Sequence, residues 1–167
     1  MSLLCKTGFY RQVFQNLARL GIPVCDLHLL FGPMDILCRF EFETMEEFKQ
    51  NWFDRIRIMG GEEEWITQSM TFFVIDSGGH IEEKPFAFIF QNTHPRNLEK
   101  VQDSLLQLPQ IMTSDTVFGL YDIISSVRAK SGEELENIID SIQRRIPEIQ
   151  SSVTSIVAGM SKVDNQA

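Results

Sequence analysis

The sequence predicts an α+β protein in which one β-α-β-β-α-β unit occurs twice, and three observations carry that expectation. The stretch Gly32-Pro33-Met34-Asp35-Ile36-Leu37 is echoed 87 positions later by Gly119-Leu120-Tyr121-Asp122-Ile123-Ile124, and the same offset carries Thr44-Met45-Glu46-Glu47-Phe48 onto Ser131-Gly132-Glu133-Glu134-Leu135. An offset of 83 carries Ile66-Thr67-Gln68-Ser69-Met70-Thr71 onto Ile149-Gln150-Ser151-Ser152-Val153-Thr154. Between these anchors the apolar spacing switches between strand-like and helix-like periods in the same order in both copies. Self-similarity at a fixed period sets unit size and element order before any single residue is interpreted.

In the first copy only Leu3, Leu4 and Cys5 remain for the opening strand, because the offset places its start before Met1. That strand is either very short or belongs to a chain cut from a longer protein. Tyr10, Val13, Leu17 and Leu20 then form one stripe of an amphipathic helix. Residues 24–31 and 35–42 read as a hairpin about the Gly32 turn. Thr44 and Glu47 form a capping box, in which the hydroxyl accepts an amide proton and the carboxylate reaches back, and Phe48, Trp52, Ile56 and Met59 supply the apolar face of the helix it opens. Four extra residues fall near Gly60-Gly61-Glu62-Glu63-Glu64, before a strand over 66–75. Such an insertion is either a tolerated solvated loop or the place for copy-specific function.

The second copy is the cleaner one. Lys84-Pro85 opens the buried strand 86–90, Asn92-Thr93-His94-Pro95 signals a helix entry, and Leu98, Val101, Leu105 and Leu108 make its stripe before Pro109 ends it. Residues 111–118 and 122–129 form the second hairpin, with Ile123, Ser125, Val127 and Ala129 on one face. Ser131 and Glu134 repeat the capping box, and Leu135, Ile138, Ile139, Ile142 and Ile146 face one side of the next helix. Pro147 closes it, and 149–157 is the last strand. The expected organisation is a first unit at 1–76, a linker at 77–85, a second unit at 86–159 and a tail at 160–167. Each unit places both helices on one sheet face and leaves the other face to be covered, so a second unit in the same chain is a built-in partner.

Composition narrows the function. A formal net charge of -8 argues against wrapping nucleic acid, since such affinity rests on Lys and Arg replacing counterions at phosphates. No apolar run approaches the roughly 20 residues that cross a bilayer, and no signal-type start precedes the first helix, so the expected location is the cytoplasm, without membrane attachment. Cys5, Cys25 and Cys38 fit no CxxC pattern and read as reduced, buried thiols, although Cys25 and Cys38 flank the Gly32 turn closely enough to approach each other. His28, His80 and His94 lack metal-ligand spacing, and no motif marks a nucleophile, a phosphate loop or a cofactor. Neither metal nor cofactor is expected.

The run Gly119-Leu120-Tyr121-Asp122-Ile123-Ile124-Ser125-Ser126-Val127-Arg128, the capped helix ending in Arg144-Arg145-Ile146-Pro147, and Ser151-Ser152-Val153-Thr154-Ser155-Ile156-Val157 together resemble the effector-binding domain of Lrp/AsnC-type transcription regulators. The resemblance covers 86–157 well and 9–74 more loosely. It implies ferredoxin-like units that pair sheet to sheet as a dimeric α+β barrel and assemble into homo-oligomers. It also implies an effector of the amino-acid class, bound near the turn between strands 2 and 3 and the last strand, at subunit contacts. Carried over by position, those sites are Gly119, Tyr121, Asp122, Ser152 and Thr154 in the second copy, and Gly32, Met34, Asp35, Ser69 and Thr71 in the first. No helix-turn-helix precedes the units, and two units share one chain, so the barrel is expected within the molecule.

Each position also has a structural reading. Asp35 and Asp122 either present a carboxylate to a ligand ammonium or bond turn amides, while Gly32 and Gly119 supply the backbone angles of the turn. Ser152 and Thr154 share one strand face as pocket lining or as ordinary strand residues. Trp52 belongs to the core, Trp65 is undetermined, and Arg144-Arg145 complements a helix C-terminus. The functional expectation is a non-enzymatic module for small-molecule sensing and oligomerisation. The alternative is a small barrel enzyme of monooxygenase type acting on an organic substrate between the sheets, and a purely allosteric or structural partner is a third option.

Overall fold

The computed structural model describes residues 1–23, 26–61 and 64–159. The first half of the chain runs β1 (Ser2–Cys5), α1 (Tyr10–Arg19), β2 (Leu27–Phe31), β3 (Ile36–Cys38), α2 (Met45–Phe48), a π-helical turn (Lys49–Phe53), α3 (Asp54–Gly61), β4 (Ile66–Met70) and β5 (Phe73–Asp76). The second half runs β6 (Ala87–Thr93), a 3-10 turn (Pro95–Asn97), α4 (Leu98–Leu106), β7 (Ile111–Phe118), β8 (Ile123–Val127), α5 (Gly132–Arg145) and β9 (Ile149–Val157). The class is α+β and the sheet antiparallel, as the sequence predicts.

Local chemistry explains the helices. Ser131 Oγ accepts the amide proton of Glu134 at 3.2 Å, and the Glu134 carboxylate accepts from Lys130 N at 2.7 Å, one position ahead of the cap residue. Thr44 and Glu47 repeat the arrangement, with the Glu47 carboxylate on Glu43 N at 2.8 Å. Leu135, Ile138 and Ile142 bury the α5 face, each adding roughly 1.5–3 kcal/mol when removed from water. The helix after Thr44 carries Phe48, Trp52 and Ile56 at successive spacings of four, wider than the 3.6-residue turn. The π-helical turn over Lys49–Phe53 absorbs that excess and keeps all three on one side.

The sheet has nine strands in the order β4-β1-β3-β2-β9-β6-β8-β7-β5. Its two ends, β4 and β5, are successive segments of one stretch parted only by Thr71 and Phe72, so the sheet curls round on itself. The expected strand over 66–75 is thus split: its first part pairs with β1 in its own half, and its second part crosses to β7 in the other. β9 makes the reciprocal crossing to β2. The registers correspond: Leu30↔Val157 and Phe31↔Ile156 at one crossing, Val117↔Val74 and Phe118↔Phe73 at the other, related by the sequence offsets of 87 and 83.

Alternation along the strands sorts side chains into three cores. Leu3, Leu27, Leu29, Ile36 and Cys38 face the helices of the first half, and Ala87, Ile89, Ile123 and Val127 face those of the second. Leu30, Leu37, Phe72, Phe88, Phe90, Val117 and Val157 point between the two sheet regions. The helix-facing layers differ in polarity. In the second half Gln102 bonds Ser114 O at 2.9 Å and accepts from Thr116 Oγ1 at 2.8 Å, while Ser125 Oγ reaches Gln91 Oε1 at 3.3 Å and Ser114 Oγ at 3.1 Å. By offsets of 87 and 88 the first half holds Phe14, Leu27, Leu29, Cys38 and Leu3 at those five places, all buried.

The structure also corrects other local expectations: β6 runs on to Thr93, so Asn92 and Thr93 belong to a strand that was expected to end at residue 90. β3 ends at Cys38 rather than running to residue 42, because Phe40 and Phe42 turn into an aromatic cluster with Phe48, Trp52 and Phe73. β8 stops at Val127 rather than at 129. Gly32 and Gly119 do not hold positive backbone angles, which among the described glycines occur at Gly8, Gly21 and Gly79. Cys5 and Cys38 are free and buried, whereas Cys25, Glu62, Glu63 and the expected tail at 160–167 lie outside the described residues. No helix among the described residues is long and apolar enough to cross a membrane.

Candidate ligand-binding site

The two hairpin turns explain why glycine and aspartate stand there twice. Asp35 Oδ2 accepts the Cys5 amide proton at 2.7 Å, and its backbone N–H donates to Leu3 O at 2.9 Å. Asp122 Oδ2 accepts from Thr93 N at 3.0 Å, and its N–H donates to Gln91 O at 3.0 Å. Each aspartate therefore fastens its turn to the neighbouring strand of its own half. The glycines serve a close approach between halves. A Cβ on Gly32 would stand 2.4 Å from Ser155 Oγ on β9, and one on Gly119 would stand 2.7 Å from Phe72 Cδ1 and 3.3 Å from Thr71 O. Ser155 and Phe72 are themselves equivalent at the offset of 83.

The ten positions implied by the resemblance therefore do not gather copy by copy. Gly119 and Tyr121 meet Thr71–Phe72 of the first half, where the Tyr121 ring lies 6.1 Å from Phe72 and 5.3 Å from Phe90. Gly32 meets the last strand of the second half. Met34 is buried, Ser69 and Ser152 are exposed, and Thr154, paired with Ile89, is half-buried. Trp65, left undetermined by sequence, stacks on Phe9 at 6.0 Å, and Glu64 pairs with Lys6 at 3.3 Å.

A cavity of about 550 Å³ lies between the two sheet regions, where the alternative enzyme reading puts its substrate, but sequence reasoning missed which residues line it. Thr71 is the one carried-over residue on its wall. Phe40, Phe42, Phe48, Phe72, Phe73 and Phe88 supply rings, Leu37, Val117 and Ile124 supply aliphatic surface, and His28, Arg39, Thr113 and Asp115 supply polar groups. Arg39 reaches across from the first half to Asp115 at 3.3 Å, and also donates to Gly79 O at 3.2 Å and Ser77 Oγ at 3.2 Å. Asp115 accepts further bonds from Gly78 N at 3.0 Å and Ser77 Oγ at 3.2 Å. Burial pushes the Asp115 carboxyl above its ordinary range, and Arg39 opposes that rise. His28 lies 4.9 Å from the Phe88 ring and occupies the place equivalent to Asp115 at the offset of 87. The available signal was a polar residue at an inward strand position, where periodicity calls for an apolar one.

Residues 86–166 match the family described as the Lrp/AsnC ligand binding domain. An uncharacterized HTH-type transcriptional regulator of Pyrococcus abyssi is 32% identical over 76 residues, which are 46% of this chain and 48% of the relative; the chain thus spans about half the length of the curated relative it matches. Among solved structures, a hypothetical protein from Pyrococcus horikoshii is 27% identical with a TM-score of 0.42, over 50% of this chain and all, 100%, of its own. An anthrone oxidase-like protein is 14% identical with a TM-score of 0.56, over 94% of this chain and 88% of its own, a likeness of fold along nearly the whole length. The hairpin, capped helix and closing strand of the second half thus lie within the segment, residues 86–166, that matches the Lrp/AsnC ligand binding domain family.

Proposed function

We propose that the chain is a regulatory module that senses an amino acid or related small molecule and responds through its state of assembly, within transcriptional regulation. In this reading residues 1–76 and 86–159 are two Lrp/AsnC-like units joined by a linker at 77–85, and they make within one chain the barrel that the resemblance assigns to two subunits. The observation that carries it is the reciprocal packing of each hairpin turn on the last strand of the other half, Gly119 on Thr71–Phe72 and Gly32 on Ser155. Gly32, Met34 and Asp35 with the second half's closing strand, and Gly119, Tyr121 and Asp122 with Thr71, then form two similar but unequal effector sites. Tyr121 offers a ring and a hydroxyl where Met34 offers neither.

The mechanism is linkage. An effector held between halves or between copies binds one assembly better than another and shifts the population towards it, by no more than its differential affinity. Exposed Phe31 lies at one crossing and exposed Phe118, Val74 and Ile75 lie at the other, and this apolar surface supports self-association of the barrels. The acidic charge supports a role without direct contact to nucleic acid. Isothermal titration of the chain against the twenty amino acids, with light scattering on the same samples, tests this. Binding by at least one amino acid with a change in mass is expected; silence across the panel with constant mass refutes it.

A further inference from the structure

We infer that the cavity between the sheet regions is a binding site for an uncharged, flat aromatic compound carrying a hydroxyl at one end. The inference does not rest on the amino-acid reading. A volume of about 550 Å³ lies within the roughly 300–1,000 Å³ of small-molecule sites, and the lining follows the same plan of apolar walls with few convergent polar groups. The walls are ring faces and edges: Phe40 stacks on Trp52 at 4.6 Å, Phe42 meets Phe48 at 5.1 Å, and Phe48 meets Phe73 at 5.8 Å. Such surfaces favour another aromatic group by offset or edge-to-face contact.

Charge decides the polar end. Arg39 is already matched by Asp115, the buried Met1 amino group on the wall is engaged by Cys38 O at 2.7 Å, and Glu41 adds an exposed carboxylate, so the lining disfavours a ligand anion. A ligand hydroxyl needs no countercharge. It can donate to Asp115, whose carboxylate has acceptor capacity beyond its present bonds, and accept from a remaining guanidinium N–H of Arg39. The amide and hydroxyl bonds from Gly78 and Ser77 hold Asp115 in place, and Ile81 of the same connecting segment covers part of the cavity.

Calorimetric titration of the full chain with 2-naphthol, beside 2-naphthoate as the charged analogue, tests the inference. One equivalent of 2-naphthol is expected to bind, with 2-naphthoate at least about tenfold weaker, a difference of about 1.4 kcal/mol. Val74→Trp narrows the mouth at an exposed position, and Ile124→Trp fills the wall from a half-buried one. Either variant that keeps the wild-type circular dichroism spectrum should lose 2-naphthol affinity at least tenfold. Absence of 2-naphthol binding, equal or stronger binding of 2-naphthoate, or unchanged affinity in both folded variants overturns the inference. Amino-acid titrations of the same samples report separately on the effector sites.

Discussion

Replacing Asp122 by alanine tests whether the repeated aspartate is a fastening or a ligand group. Its Oδ2 accepts the Thr93 amide proton at 3.0 Å, and Thr93 is buried, so truncation leaves that amide without its acceptor. An orphaned buried donor costs roughly 1–3 kcal/mol. At about 2 kcal/mol, and with 1 kcal/mol worth roughly 2–4 °C for a chain of this size, the melting temperature should fall by about 4–8 °C. Asp122→Asn keeps an acceptor oxygen in place and should recover more than half of the loss. Asp35→Ala should behave alike in the first half, where the bond to Cys5 N is 2.7 Å. The assay is thermal unfolding followed by circular dichroism and tryptophan fluorescence. If Asp122→Ala unfolds at the wild-type midpoint, or asparagine and alanine are equally damaging, the fastening role is wrong.

The close approach at Gly32 makes Gly32→Ala overpacked against Ser155, with an expected cost of about 1–3 kcal/mol in urea unfolding. Ser155→Gly removes both the Oγ and Cβ that would collide, and should restore most of that loss in the double variant. Burial, reinforced by Asp35, pushes the Cys5 thiol up to about 12, and burial raises Cys38 as well. An unfolded thiol then loses its proton first as pH rises through about 9, so through Cys5 stability should fall by about 1.4 kcal/mol per pH unit between roughly pH 9 and 12, and Cys38 adds to the fall in the same direction. Chemical denaturation across that range, compared with Cys5→Ala, reads the slope, and a flat profile contradicts it. Gln91→Leu removes a buried amide nitrogen that meets no acceptor among the described residues and installs the residue found at the equivalent first-half place. Ser125 Oγ, which now donates to Gln91 Oε1, keeps Ser114 Oγ as a partner, so the change should raise stability by about 1 kcal/mol, and a loss of that size would show that the bonds of the Gln91 side chain outweigh its unpaired nitrogen.

The sequence made the local structure legible and left the long-range structure dark. Helix stripes such as Leu135, Ile138 and Ile142, the two capping boxes and the hairpin echo depend on neighbours a few residues apart, where spacing alone carries the signal. The π-helical turn over Lys49–Phe53 was not legible, since Phe48, Trp52 and Ile56 repeat the spacing of Ile138, Ile142 and Ile146 at the regular α5. Strand alternation says which face a residue shows, but not which strand it will meet. That is why the break at Thr71–Phe72 and the exchange of Gly32 and Gly119 onto the other half's last strand emerge only from the structure. The lining of the cavity was hidden for the same reason. Arg39 and Asp115 lie 76 residues apart, and neither belongs to a motif. The paired aspartates were legible as important, but their meaning was not, since a carboxylate that bonds an amide and one that awaits an ammonium look alike in a string of letters.

The two strand crossings have a consequence in mass action. A barrel closed by separate subunits comes apart on dilution, and its melting point follows protein concentration. Here both closing strands belong to the chain they close, joined through residues 77–86, so each crossing forms at an effective concentration set by tether length rather than by supply of a partner. Nor must the two sides stay alike, because a substitution on one is not copied to the other. The chain can carry Gln91 beneath one pair of helices and Leu3 beneath the other, and His28 opposite Asp115 across one interior, a pairing of unlike sides that a symmetric dimer of identical subunits cannot make.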